Sequence, residues 1–261
     1  MLRESIEELR AHGQKALIPY IVGGFPDLEG SMELLLELQQ RGAAAIEVGI
    51  PFSDPMADGP VIQRAHAEAL AQGVSPGAIL EALREIRERV RIPVILMTYY
   101  NPVFRMGEDA FAQKAREAGA SGVIIPDLPP EEASGWIEVT RKGGLSTVFL
   151  VAPNTPLERV KRIATVTTGF LYYLSLKGVT GSKIKDLEEV RRKVKGIREV
   201  ANLPICVGFG IREGWEAKVL GEVADGIIVG SSLLYALQEH GREAMMELFE
   251  DLKEALSGPF V

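Results

Sequence analysis

The chain has 261 residues, 46% of them apolar and 25% charged, with a formal net charge of −7. That length suits one barrel of strand–helix units, for which about 250 residues is typical, and a core of that size needs no disulfide or metal staple. The acidic balance excludes nonspecific nucleic-acid binding, which needs a positive field, and apolar runs such as 123–126 and 226–230 fall far short of the roughly 20 residues of a membrane span.

In chain order, the opening MLRESIEELRAHGQ has a charged, helical pattern and is not a signal peptide. Short runs rich in Val, Ile and Leu predict strands at 17–22, 44–49, 94–98, 122–125, 146–151, 170–174, 205–208 and 226–229. Amphipathic stretches between them predict helices at 28–41, 76–90, 109–118, 131–142, 156–164, 186–200, 212–222 and 241–256. A strand-first alternation implies a parallel sheet buried on both faces. Eight units favour closure, which leaves no exposed edge strand. The expected fold is therefore α/β: a single (β/α)8 TIM barrel over residues 1–261, with an extra N-terminal helix and short extra helices in the loops after strands 2 and 8.

The helix-to-strand joints RGAAAIEV, EAGASGVII, KGGLSTVFL and EVADGIIV each carry a Gly or an Ala-Asp read as ending the helix in a left-handed turn. They define the lower, stabilising face. The longer strand-to-helix loops form the opposite face, where barrels carry their chemistry. Lone Cys206 lies in an apolar run with no second cysteine to pair with, which suits a reducing cytoplasm.

Glu47 breaks the apolar run of strand 2. Alternation sets Ile46 and Val48 on the outer face, so Glu47 points into the barrel near its upper end. A carboxylate there loses hydration unless it is paired or its pKa rises; the competing reading is a structural acid tied to backbone or to an arginine. The loop IPFSDPMADGPVIQ follows, with Asp54 and Asp58 in a frame of proline and glycine able to hold a side chain in place. Either aspartate could instead cap a turn or the helical run near Pro60. Strands 7 and 8 end in VGFGI (Gly208, Gly210) and IVGSS (Gly230, Ser231), and the loop after strand 6 contributes GVTG with Thr180 and Gly181. Glycine lets a backbone approach an anion closely, and barrels commonly bind phosphate at this edge, although any one of these glycines could simply make a turn. Tyr20, Tyr99, Phe209 and Tyr172 lie at or near strand ends, where an aromatic ligand can stack.

The run EVGIPFSDPMADGPVIQRA resembles the signature of the tryptophan synthase α family. IPYIVGGFPD, YYNPVF, IIPDLPPEE, APNTP, GVTG, VGFGI and ADGIIVGSS follow the family pattern in order along the whole chain. The resemblance implies a carbon–carbon lyase of tryptophan biosynthesis that splits indole-3-glycerol phosphate into indole and glyceraldehyde 3-phosphate. It implies Glu47 and Asp58 as the catalytic carboxylates, Gly181, Gly210, Gly230 and Ser231 at the substrate phosphate, and Tyr172 near the reacting centre. It also implies a cytoplasmic α2β2 complex with a β subunit that carries pyridoxal phosphate, this chain itself needing no cofactor.

The chain departs from the family at Val22 and Phe25, where relatives have Thr and Asp, and in the short basic loop LKGVTGSKIKDLEEV. A stand-alone indole-glycerol-phosphate lyase and a module that mainly activates a β subunit remain alternative readings. A Schiff-base aldolase would need a strand lysine; the strands have none, and Lys177 lies in a loop. A metal-dependent aldolase would need clustered ligands. His12, His66 and His240 fall instead on separate helical stretches, with His66 solvated or packed against a helix.

Overall fold

Eight parallel strands pair in chain order and close into a barrel: β1 (Ala16–Val22), β2 (Ile46–Gly49), β3 (Val94–Met97), β4 (Ala120–Ile124), β5 (Ser146–Val151), β6 (Leu171–Leu174), β7 (Ile205–Gly208) and β8 (Gly226–Val229). The computed structural model describes residues 2–174, 183–208 and 210–257. Strands β5, β7 and β8 keep the boundaries expected from the sequence, and the others shift by a residue or two at an end.

Among the described residues the helices are α1 (Leu2–Ala11), α2 (Leu28–Gln40), α3 (Pro60–Ala71), α4 (Pro76–Ile86), α5 (Tyr100–Met106), α6 (Glu108–Glu117), α7 (Ser134–Gly143), α8 (Leu157–Val166), α9 (Lys183–Val200), α10 (Gly214–Gly221), α11 (Ser231–His240) and α12 (Arg242–Ser257). None of them is long and apolar enough to cross a membrane. The extra helices expected at the N-terminus and after strands 2 and 8 are α1, α3 and α11. Helix α5 was not expected. Its Asn-Pro pair reads as a loop, yet Pro102 falls in the first turn, where a missing N–H costs nothing because that donor has no intrahelical acceptor. Helix α7 starts later than expected, because after Pro129 and Pro130 the chain makes a turn in which the Glu132 and Ala133 N–H groups donate back to the two proline carbonyls.

Alternation along the strands sorts the core into two layers. Ile21, Val48, Leu96, Val123, Phe149, Val207 and Val229 face outward and pack under the helices. Ile18, Ala45, Ile95, Ile124, Val148, Phe170, Tyr172, Cys206 and Ile228 fill the interior, joined by Leu2 and Ile6 of α1. Helix α1 thus plugs the barrel floor. Gly122 and Gly169 make room for it, since a Cβ at either would lie 3.0 or 3.1 Å from Leu2 Cδ2. Each plugging side chain, fully buried, contributes roughly 1.5–3 kcal/mol.

Three of the lower joints turn through left-handed glycines, Gly42 (φ 92°), Gly119 (φ 86°) and Gly144 (φ 69°). The fourth differs from expectation. No non-glycine among the described residues has positive φ, so Ala224-Asp225 makes no left-handed turn. Asp225 is instead a buried acceptor, taking the Ile205 N–H at 2.9 Å and Arg198 Nη2 at 3.0 Å, and it ties the start of β8 to β7 and α9.

Candidate active site

Strand register sets the site. Tyr20, Glu47 and Ile95 are partners across β1, β2 and β3, so Glu47 sits on the interior wall between an aromatic and an aliphatic side chain. It is 1% exposed, and neither carboxylate oxygen has a hydrogen-bond partner among the described residues. The competing reading, a Glu tied to backbone or arginine, finds no such tie there. Burial, and then the negative charge of Asp58, push its carboxyl up to about 8.

The loop after β2 delivers Asp58. Helix α3 is capped by the Gly59 backbone with Pro60 in its first turn and no side-chain cap, so Asp58 is free of the capping role. Its carboxylate turns inward, with a side chain 5% exposed. There Oδ2 accepts the Tyr99 hydroxyl at 2.8 Å, and the Tyr99 oxygen accepts the Ala57 N–H at 3.0 Å. Phe52 stacks on Tyr99 with ring centroids 5.2 Å apart. Burial raises the Asp58 carboxyl to about 6, and the Tyr99 hydrogen bond limits the rise. Near neutral pH the two acids therefore differ in state: Glu47 holds its proton while Asp58 is ionised. Asp54 behaves as the turn residue, exposed and taking its neighbour Ser53's hydroxyl at 2.5 Å.

Glycines create the space that the aromatics use. A Cβ on Gly49 would lie 2.1 Å from the Tyr20 hydroxyl oxygen, and one on Gly208 would lie 2.7 Å from that of Tyr172. Tyr20 therefore lies across β2 just above Glu47, and Tyr172 lies across β7. Tyr172 points into the interior with Cys206 and Phe170, while Tyr173 belongs to the outer layer. Met97, Leu150 and Leu174, half-buried against the interior core, add an apolar lining that alternation could have revealed.

At the anion edge, Gly230 is the N-cap of α11 and Ser231 its first residue, so the free N–H groups of the first turn lie at the end of β8. Gly230 also packs on the Tyr20 ring, 3.1 Å from where a Cβ would sit. Gly210, after β7, has φ 62° and open space around its Cα. Thr180, Gly181 and Phe209, and with them Lys177, lie outside the described residues. No three His, Cys, Asp or Glu side chains gather as a metal site among the described residues.

His66 is the residue that sequence reasoning undervalued. It is 2% exposed, packed and not solvated, with Nδ1 on the Phe52 N–H at 3.1 Å, Nε2 on the Tyr20 hydroxyl at 3.0 Å and Asp58 Oδ2 at 3.8 Å. The available signal is helical spacing, which sets His66 on the buried face of α3 with Ala65 and Ala69.

The model of the family described as tryptophan synthase alpha chain matches residues 6–257. The chain is 46% identical over 257 residues to the tryptophan synthase alpha chain of Laribacter hongkongensis, covering 97% of each sequence, and 43% identical to that of Ralstonia nicotianae, covering 98% of each. Among solved structures it is similar to tryptophan synthase from Mycobacterium tuberculosis, with TM-score 0.91, 37% identity and 99% and 98% of the two chains covered. It is also similar to the α subunit of tryptophan synthase from Legionella pneumophila, with TM-score 0.89, 40% identity and 98% of each chain covered.

Proposed function

The chain belongs to the tryptophan synthase alpha chain family, and we propose that Glu47 and Asp58 divide its lyase chemistry between them. The reaction breaks the bond from indole C3 to the glycerol chain of indole-3-glycerol phosphate. Glu47 gives its proton to C3, which makes the ring a leaving group and spreads positive charge to its nitrogen. The C–C bond then breaks, and the carboxylate of Glu47 takes the proton from the adjacent hydroxyl as the aldehyde of glyceraldehyde 3-phosphate forms. Asp58, ionised and held by Tyr99, accepts the ring N–H and stabilises the charge that develops there. The observation that carries this reading is a buried Glu47 with both oxygens unpartnered among the described residues.

The rest of the site follows the same substrate. Tyr20, Tyr99 and Tyr172 line the ring, and the phosphate lies at the N-terminus of α11 with Gly210, Gly230 and Ser231; Phe209 joins the ring, and Thr180 and Gly181 the phosphate, on the sequence resemblance alone. Residues 1–261 act as one domain, in the cytoplasm, and pass indole to a β subunit in an α2β2 complex; pyridoxal phosphate belongs to that partner and not to this chain. Two exposed apolar side chains at the mouth of the barrel, Met56 and Phe104, suit a surface covered by that subunit.

The test is glyceraldehyde 3-phosphate release, measured with and without a β subunit. The pH profile of kcat/KM is expected to rise near pH 6 as Asp58 ionises and fall near pH 8 as Glu47 loses its proton. Glu47→Gln and Asp58→Asn each lower turnover by about 10²–10⁴-fold with the fold intact. Near-normal turnover in either variant refutes that residue's role.

A further inference from the structure

Helix α3 turns two side chains back onto the loop that carries Asp58. Gln63 Nε2 donates to the Asp58 carbonyl at 2.9 Å, where the loop enters the helix. His66, three residues on, reaches the start of the same loop, where its Nδ1 meets the Phe52 N–H at 3.1 Å. A backbone N–H can only donate, so Nδ1 is the acceptor and bears no proton. The ring is therefore neutral with its proton on Nε2, in keeping with burial that pushes the His66 pKa down to about 4. Asp58 Oδ2, at 3.8 Å, is too far from Nε2 for a hydrogen bond. The Nε2–H goes instead to the Tyr20 hydroxyl oxygen at 3.0 Å, which fixes the tautomer and the orientation of the ring.

Phe52 links this clamp to the chemistry. Its ring stacks on Tyr99, with centroids 5.2 Å apart. The Tyr99 hydroxyl donates to Asp58 Oδ2 at 2.8 Å and accepts the Ala57 N–H at 3.0 Å. Turn bonds from the Met56 and Asp58 N–H groups brace the far half of the loop, and His66 holds the near half.

We propose that His66 is a positioning residue for Asp58: its neutral ring ties the near end of the loop to α3 and β1, and through Phe52 and Tyr99 it keeps the carboxylate aimed at the ring N–H of the substrate. The inference rests on the role of Asp58 in the lyase reaction. A carboxylate set in place beforehand stabilises developing charge without reorganising at the moment of reaction. The ionisable groups that face Asp58 are Glu47 from β2, Tyr99 from the segment after β3, His66 from α3, and Tyr20 and Tyr172 from β1 and β6.

The experiment compares kcat, KM and the pH profile of kcat/KM for His66→Leu, His66→Asn, His66→Gln and Asp58→Asn in the complete chain with indole-3-glycerol phosphate. His66→Leu removes the acceptor and is expected to lower kcat by about 10- to 100-fold, the cost of a catalytic group misplaced by up to about 1 Å, with KM within about threefold of wild type. Its acidic limb moves down by about one pH unit. A loosened Asp58 regains water and gives up part of the rise from 3.8 to about 6 that burial imposes. A mere loss of folded enzyme lowers kcat and leaves the limb in place. In His66→Asn the amide oxygen falls at the Nδ1 position, so the acceptor is kept and both kcat and the limb return close to wild type. In His66→Gln the amide nitrogen falls at the Nε2 position, so the bond to Tyr20 is kept while kcat and the limb follow His66→Leu. These two polar variants carry the test even if His66→Leu does not fold. A wild-type acidic limb in His66→Leu, or identical limbs in His66→Asn and His66→Gln, overturns the proposal. An inactive Asp58→Asn beside a normal His66→Leu sinks this inference alone, whereas an active Asp58→Asn sinks the assignment beneath it.

Discussion

Two acids are buried at opposite ends of this barrel, Glu47 at 1% exposure near the upper end and Asp225 at 2% at the lower, and they are treated in opposite ways. Asp225 accepts from the Ile205 backbone and the Arg198 guanidinium, with Arg10 at 3.5 Å. Glu47 accepts from nothing among the described residues. A buried charge with its partners in place holds elements together, while one without them stays neutral and keeps its proton available. The fold supplies pairing where it needs rigidity and withholds it where a ligand completes the set.

The sharpest way to break that contrast is to neutralise each acid in turn. Glu47→Gln is expected to remove turnover by about 10²–10⁴-fold while Tm holds or rises, since no partner is lost. Asp225→Ala is expected to do the reverse. Breaking a buried pair costs about 3–5 kcal/mol, and the partial exposure of Arg198 reduces this to about 2–4 kcal/mol. Its kcat per folded molecule stays within about twofold of wild type, because Asp225 touches only the lower face. Denaturant unfolding and the glyceraldehyde 3-phosphate assay read the two effects separately. A large turnover loss in Asp225→Ala, or a large stability loss in Glu47→Gln, would erase the distinction.

The sequence revealed these two acids unequally. Glu47 stands out because alternation along the strand expected at 44–49 sets the face it takes, and an acid on an inner face is an anomaly that needs no partner to be seen. Asp225 reads as part of a turn because its role depends on Arg198 of α9, 27 positions earlier in the chain, which only the folded structure brings within reach. The bond between His66 and Tyr20 is hidden for the same reason, since it joins residues 46 positions apart, and only the missing side chain of Gly49 leaves room for the Tyr20 hydroxyl. Helix α5 escaped because a proline in a first turn and a proline in a loop look alike until the N–H partners are counted. Periodicity fixes which face a side chain takes; hydrogen bonds between distant elements decide what it does there.

The most gradual expected effect, spread over several pH units, sharpens the comparison most finely, because it reads the two pairing states through protons. The folded pKa of Glu47 lies near 8, above its ordinary value of 4.5, so between those values the folded chain holds a proton that the unfolded chain has released. Stability contributed by this group is complete below about pH 4.5 and is lost as pH rises toward 8, the reverse of a carboxylate held in an ion pair. Asp58 adds to the same trend over the lower window, from 3.8 to about 6. Glu47→Gln cannot titrate, so its stability relative to wild type should increase with pH across that range by no more than about 1.4 kcal/mol per pH unit, the slope of one proton. Denaturant midpoints at pH 5, 6, 7 and 8 for the two proteins measure that divergence. Parallel curves would mean that Glu47 is ionised or paired in the folded chain, and the contrast with Asp225 would then be one of location alone.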